Sequence, residues 1–326
     1  MKVGRHLLLA AGVASVAYLV ATTGVERFLG PVRTLSWRIA VFIALPYALV
    51  AFLHTVAWRL IFVRRPFSLR QLFSVRLAGE AVNLGTASVG GEPVKVYLLR
   101  PWVPMAEASA ALVVDKTAIT IGQVLFLAAG LVVAVVSFPL RPDFLRAMAA
   151  LLGLQIVVVA AFVLVQYAGL GGWTLRALDR LGFRSARARM SGLVRFDRML
   201  AASYRERPGA VLACVLVHLA GWLVGSLEVY LVLRWLNVSA SFGVALAIDA
   251  FGTGIKFLAF SIPGALGVLE GGYMLVFSAF GLGGGLGLSF TLIRRLRMLA
   301  WSAAGLVVLA LLNAAPEPVS VGAPEA

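Results

Sequence analysis

Between Gly79 and Arg100 the chain reads GEAVNLGTASVGGEPVKVYLLR, which places Glu80, Asn83, Glu92, Lys95 and four glycines inside a polypeptide that is otherwise overwhelmingly apolar. A second stretch of similar character, DAFGTGIKFLAFSIPGALGVLEGGYMLVFSAF, contributes Asp249, Lys256 and Glu270. Beyond these stretches lie further charges: Asp115 and Lys116 after the first, Arg294, Arg295 and Arg297 after the second. Groups of this kind are costly in hydrocarbon unless they are paired or line a wet cavity. Carboxylates and cations brought together neutralise one another, and a cavity lined by both accepts a phosphate-bearing headgroup while its lipid tail stays in hydrocarbon. Arg294 is the expected phosphate contact, since a fork-shaped guanidinium suits such oxygens. A Glu that exchanges a proton as its partner leaves would offer ion coupling. The plainer alternative is that the charges only lock helices together, which accounts for some of them and less well for the nine at Glu80, Glu92, Lys95, Asp249, Lys256, Glu270, Arg294, Arg295 and Arg297.

The elements that must position these groups are set by composition. Of 326 residues, 61% are hydrophobic and 13% charged, and the mean hydropathy is +0.96. No soluble domain of this size could cover so much apolar surface, so the expectation is an all-α, polytopic helical bundle of the bacterial cytoplasmic (inner) membrane. The net charge of +15 lies mostly on arginines between apolar runs, which reads as topology and contact with anionic headgroups. No nucleic-acid motif or aromatic interleaving accompanies them, and nucleic-acid binding is discounted. A lone cysteine, Cys214, excludes an internal disulfide or thiolate cluster and reads as lipid-facing or packing. His6, His54 and His218 are scattered without a paired spacing, so neither a metal nor another cofactor is expected.

About six full spans are expected, near residues 6–23, 37–63, 106–138, 144–167, 208–235 and 288–312, with a cytoplasmic N-terminus retained as the first span. Arg64, Arg65, Arg70 and Arg76 mark a cytoplasmic loop, and residues 66–77 read as an amphipathic piece along the headgroups. Residues 75–100 are too polar and glycine-rich for a span, and read as a hairpin broken at Ser88 to Glu92, with Pro93 in the first turn of its second helix. Residues 243–281 form a second hairpin, broken at Pro263 and Gly264. Residues 168–207 are a basic cytoplasmic loop ending in an interfacial helix from Ser191 to Tyr204, and 315–326 are a disordered tail beyond a single domain, 1–314. Asp115 either snorkels beside Lys116 or faces inward toward Lys95 or Arg100, because neighbours on a helix point about 100° apart. Glu228 reads as a headgroup-level acid close to Arg234.

The two hairpins resemble each other. VGGEPVKVYLL (Val89 to Leu99) sets Glu92 against Glu270 of GVLEGGYMLVF (Gly267 to Phe277), and at a similar distance downstream come Asp115 and Lys116 against Arg294 and Arg295. With the preceding spans running in opposite directions, this is an inverted repeat, an architecture of many secondary transporters, in which broken helices offer partial charges to a substrate near the midplane.

At N-x6-GGEPVKVYLLR (Asn83 to Arg100), Asp115-Lys116, SIPGALGVLEGGY (Ser261 to Tyr273) and RRLR (Arg294 to Arg297), the chain resembles the flippase-like transmembrane domain found in lysylphosphatidylglycerol synthases and in many stand-alone bacterial and archaeal membrane proteins. The resemblance covers residues 36–312. It implies translocation or handling of an isoprenoid- or glycerol-based lipid, with anionic membrane lipids and lipid-synthesis enzymes as partners. Some stand-alone members are associated with hopanoid biosynthesis and others with polyprenyl-linked sugars. The lysyl-transferring members carry a large soluble domain after the membrane part; here the sequence ends at Ala326, so aminoacyl transfer is not expected. The residues show no nucleophile-base pair, metal motif or phosphatase signature, and the expectation is a non-enzymatic lipid flippase or transporter. The alternative is a non-catalytic scaffold of a lipid-synthesis complex.

Overall fold

A computed structural model describes residues 37–83, 90–168, 191–259, 262, 265 and 267–314. Among these there are ten helices and no strands: α1 (Trp37–Ile61), α2 (Leu69–Asn83), α3 (Gly91–Leu99), α4 (Met105–Ser137), α5 (Pro142–Ala168), α6 (Ser191–Glu206), α7 (Pro208–Trp235), α8 (Phe242–Leu258), α9 (Val268–Ala279) and α10 (Gly284–Ala314). Helices α1, α4, α5, α7 and α10 are long and apolar enough to cross a membrane. Hydrocarbon offers no partner to a backbone N–H or C=O, so a spanning segment satisfies them within itself as a helix. The expected span at residues 6–23, the loop at 169–190, the tail at 315–326 and the breaks at 84–89 and at Pro263 and Gly264 lie outside the described residues.

Helices α1 and α7 pack against each other in opposite directions. Arg207, just before α7, donates to the carbonyl of Ile61 at the end of α1 (2.8 Å), the rings of His54 and His218 meet at mid-length (4.8 Å), and Phe42 near the start of α1 meets Trp235 at the end of α7 (6.3 Å). The chain after α1 passes into α2 at the Ile61 end, where Phe62 packs on Phe67. The chain after α7 passes into α8 at the other end, where Tyr230 packs on Phe242. A serine caps the start of each of these helices. Ser68 and Gln71 form a reciprocal capping box at α2 (Gln71 N–H to Ser68 Oγ 3.2 Å, Ser68 N–H to Gln71 Oε1 2.7 Å), and at α8 Ser241 Oγ accepts from the Val244 N–H.

Two antiparallel hairpins, α2–α3 and α8–α9, therefore come in from opposite ends of the bundle. The packing repeats with the halves exchanged: α2 lies on α10, and α8 lies on α4. At each crossing a glycine lets the helices touch: a Cβ at Gly305 would lie 2.5 Å from the Leu77 carbonyl oxygen, and one at Gly130 would lie 2.3 Å from the Ala250 Cβ. This is the geometry that an inverted repeat demands. It also divides the buried apolar side chains into two clusters. One, at the Ile61 end, includes Trp58, Leu72, Leu99 and Val114; the other, at the Trp235 end, includes Phe126, Val232, Phe251, Phe277 and Phe290.

The first hairpin begins earlier than expected. Residues 69–77 do not form a separate surface piece but are the first turns of α2, with Leu72, Val75 and Arg76 buried. The Ser68 box starts the helix there, and α2 continues straight into the bundle. Pro93 does stand in the first turn of α3, where its missing N–H leaves no intrahelical bond unmade.

Candidate functional site

Between the two apolar clusters runs a layer of charged side chains. In the first half, Lys95 of α3 is 1% exposed and reaches Glu80 of α2 at 2.5 Å and Glu92 at 3.2 Å. Glu92 also pairs with Lys116 of α4 at 2.7 Å. Asn83 closes this hairpin: its amide donates to Glu92 (2.9 Å), and its Oδ1 accepts the Gly91 N–H (2.7 Å), one of the donors that the start of α3 leaves unpaired. Only glycine fits at position 91, because a Cβ there would lie 2.0 Å from the Gly79 carbonyl oxygen.

The second half mirrors this plan with arginine in place of lysine. Glu270 of α9 pairs with Arg295 of α10, as Glu92 pairs with Lys116. Glu270 Oε2 also accepts the N–H of Gly267, whose φ of 78° is a left-handed conformation that glycine adopts without penalty. Arg294 pairs with Asp249 of α8 (2.6 Å) and Glu228 of α7 (3.1 Å) and donates to the Tyr273 hydroxyl; Arg297 also pairs with Glu228. In each half one ion pair ties the first hairpin helix to the following long helix, and its sign is reversed between halves: Arg76 to Asp115 (3.5 Å) in the first, Asp249 to Arg294 in the second.

A cavity of about 270 Å³ opens among α1, α2, α4, α7, α8, α9 and α10, with a second of about 180 Å³ against it; Glu80, Lys256 and Arg297 line both. The layer holds seven cations (Arg76, Lys95, Lys116, Lys256, Arg294, Arg295, Arg297) and six carboxylates (Glu80, Glu92, Asp115, Glu228, Asp249, Glu270), and each of these carboxylates pairs with a cation. Lys256 supplies the excess charge. Among the described residues it alone of the seven has no carboxylate within 4 Å, and it is exposed to the cavity. A cavity lined by these charges among apolar side chains, with one uncompensated ammonium, suits an anion.

The family model for the lysylphosphatidylglycerol synthase transmembrane region matches residues 6–308. The chain belongs to this family. A UPF0104 membrane protein of Methanothermobacter thermautotrophicus is similar to it, 25% identical over 319 residues that cover 91% of each chain. No solved structure matches. The protein is thus a multi-pass membrane protein of a lipid-related family.

In this family member the twelve residues singled out from the sequence all fall in the charged layer, and the surroundings of four residues there differ from, or decide between, the readings above. Glu228 is not a headgroup-level acid beside Arg234: it is 2% exposed and holds Arg294 and Arg297. Arg76 is not part of a solvated loop cluster but is 6% exposed, on Asp115 and the His54 carbonyl (2.9 Å). Asp115 does face inward, yet toward Arg76 and His218 (2.9 Å) rather than Lys95 or Arg100. Cys214 is buried beside Asp115, so packing holds and a lipid-facing position does not. His54 and His218 carried no sequence signal, since 164 residues separate them.

Proposed function

We propose that the protein is a lipid transporter of the cytoplasmic membrane, which admits the anionic, phosphate-bearing headgroup of an isoprenoid- or glycerol-based lipid to the charged layer while the tail stays in hydrocarbon. The observation that carries this is Lys256, a cation with no carboxylate partner among the described residues, at the wall shared by two cavities and between hairpins that come in from opposite ends. A scaffold has no use for such a charge, whereas a headgroup phosphate supplies its missing partner. Arg294 and Arg297 stand close by with their guanidinium forks, though their acids must be shared with the incoming phosphate.

The reading is non-enzymatic. Support comes from the six carboxylates of the charged layer, each of which is engaged with a cation, so that none of them is free to act as a general base toward a bound lipid. The symmetric plan supports alternating access: each hairpin is anchored to its following long helix through a glutamate, Glu92 to Lys116 and Glu270 to Arg295. In this reading the N-terminus lies in the cytoplasm, so that the basic loop at 168–207 meets the anionic inner leaflet.

Glu92→Gln and Glu270→Gln, each reconstituted in vesicles at wild-type protein levels, test the reading. Both are expected to abolish lipid movement. Wild-type rates in both variants would refute it, and recovery of a lipid-synthesis enzyme bound to a chain that moves no lipid would favour the scaffold.

A further inference from the structure

The charged layer contains a second arrangement that headgroup binding does not use. His54 Nδ1 and His218 Nδ1 lie 2.6 Å apart, and His218 Nε2 lies 2.9 Å from the Asp115 carboxylate. These contacts fix the protons. A carboxylate only accepts, so His218 Nε2 carries a proton; a neutral His218 then offers Nδ1 as an acceptor, and His54 Nδ1 must donate to it. That leaves the lone pair of His54 on Nε2. His54 lines the large cavity, and its Nε2 has no hydrogen-bond partner among the described residues. The far end of the chain is dry: His218 and Asp115 are 0% and 1% exposed.

We propose that His54 and His218 form a proton path from the cavity to Asp115, the carboxylate that holds Arg76, and that one proton is taken up with each anionic headgroup. A proton from cavity water binds His54 Nε2. The Nδ1 proton of His54 passes to His218 Nδ1, and the Nε2 proton of His218 passes to Asp115. Both imidazoles end neutral with their tautomers exchanged, Asp115 ends as the neutral acid, and the layer has gained one positive charge. Asp115 is the ion-pair partner of Arg76, 3.5 Å away. Its protonation therefore frees a second cavity-lining cation to join Lys256 in holding a phosphate. By linkage, a bound phosphate favours the proton to the same degree.

The groups that face this path make the coupling specific. Arg76 and Glu80 approach from α2, Lys116 from α4, Cys214 from α7 and Tyr47 from α1 itself. Asp249 and Lys256 of α8, Glu228 of α7, and Arg294 and Arg297 of α10 line the same cavity, but the acids among them already hold arginines of α10. Asp115, Cys214 and His218 bring three donor atoms within 4.8 Å of one another, as a metal site would. Arg76 already balances that carboxylate, which favours a proton over a metal ion.

The coupling rests on the transporter reading, while the relay itself does not. With three histidines in the chain, ¹⁵N-histidine labelling of the full protein in micelles gives an uncrowded spectrum. The expected result is a scalar coupling across the Nδ1···Nδ1 bond and a joint titration of His54 and His218, both lost in His54→Gln. Independent titration without coupling would overturn the relay whether or not lipid moves. In parallel, affinity for phosphatidylglycerol in mixed micelles is expected to rise as pH falls, by up to about tenfold per unit for one linked proton. Asp115→Asn, which keeps the shape of the protonated acid, is expected to abolish that slope. A wild-type affinity independent of pH, or an unchanged slope in Asp115→Asn, would overturn the coupling.

Discussion

Replacing Lys256 with glutamine separates binding from folding more cleanly than any other change in the charged layer. The side chain pairs with no carboxylate among the described residues, so its removal strands no buried anion. Its effect on stability is expected to stay within about 0.5 kcal/mol. Its effect on an anionic ligand is larger, since a hydrogen bond to a charged group contributes about 1.5–3 kcal/mol, which is roughly a 10- to 150-fold loss of affinity. Lys95→Gln is the contrasting change. Lys95 is 1% exposed and holds both Glu80 and Glu92, so the same substitution there strips Glu80 of its cation, leaves Glu92 with Lys116 alone, and costs about 3 kcal/mol of stability. Binding of fluorescent phosphatidylglycerol in mixed micelles, with thermal unfolding of each variant, reads both quantities. A Lys256→Gln variant that binds within twofold of wild type, or melts as early as Lys95→Gln, would refute the assignment of Lys256 as the free anion-binding charge.

Gly91→Ala forces a Cβ to within 2.0 Å of the Gly79 carbonyl oxygen, and is expected to destabilise the first hairpin by about 1–3 kcal/mol or more, read as a lower melting temperature; Gly271→Ala, with nothing within 4 Å of the new Cβ, should instead raise it slightly. Glu228→Gln removes the acid shared by Arg294 and Arg297, and its expected loss of stability, about 3–5 kcal/mol in thermal or denaturant unfolding, should be partly relieved by Arg297→Gln. Cys214, 0% exposed, should resist maleimide in the folded protein and label fully after denaturation, and rapid labelling of the native chain would contradict its place beside Asp115.

The sequence showed the hairpins because charge and glycine inside an apolar chain have few explanations. Glu92 and Glu270 stood out for that reason, and the charged pairs downstream of them proved to be their partners: Lys116 returns to Glu92 and Arg295 to Glu270. The long helices were equally plain, as α7 runs from Pro208 to Trp235 with the expected bounds and α4 is shifted by a single residue at each end. Local context misled elsewhere. Arg76 follows Arg64, Arg65 and Arg70, and only the helix begun by Ser68 carries it from that basic run into the bundle. Glu228 precedes Arg234 by six residues, about 240° around a helix, so the two cannot share a face, and the true partners lie on α10. The His54 and His218 contact arises from the antiparallel packing of α1 on α7, which no local spacing records.

The proposed function requires the charged layer to pass anionic lipid from one leaflet to the other. Vesicles containing the purified chain and a fluorescent phosphatidylglycerol, with dithionite added outside to bleach the outer leaflet, measure this directly. The expected result is a loss of inner-leaflet fluorescence that depends on the protein, exceeds that of a zwitterionic phosphatidylcholine probe, and falls sharply in Lys256→Gln. Bleaching that stops at the outer leaflet, as in protein-free vesicles, would contradict it.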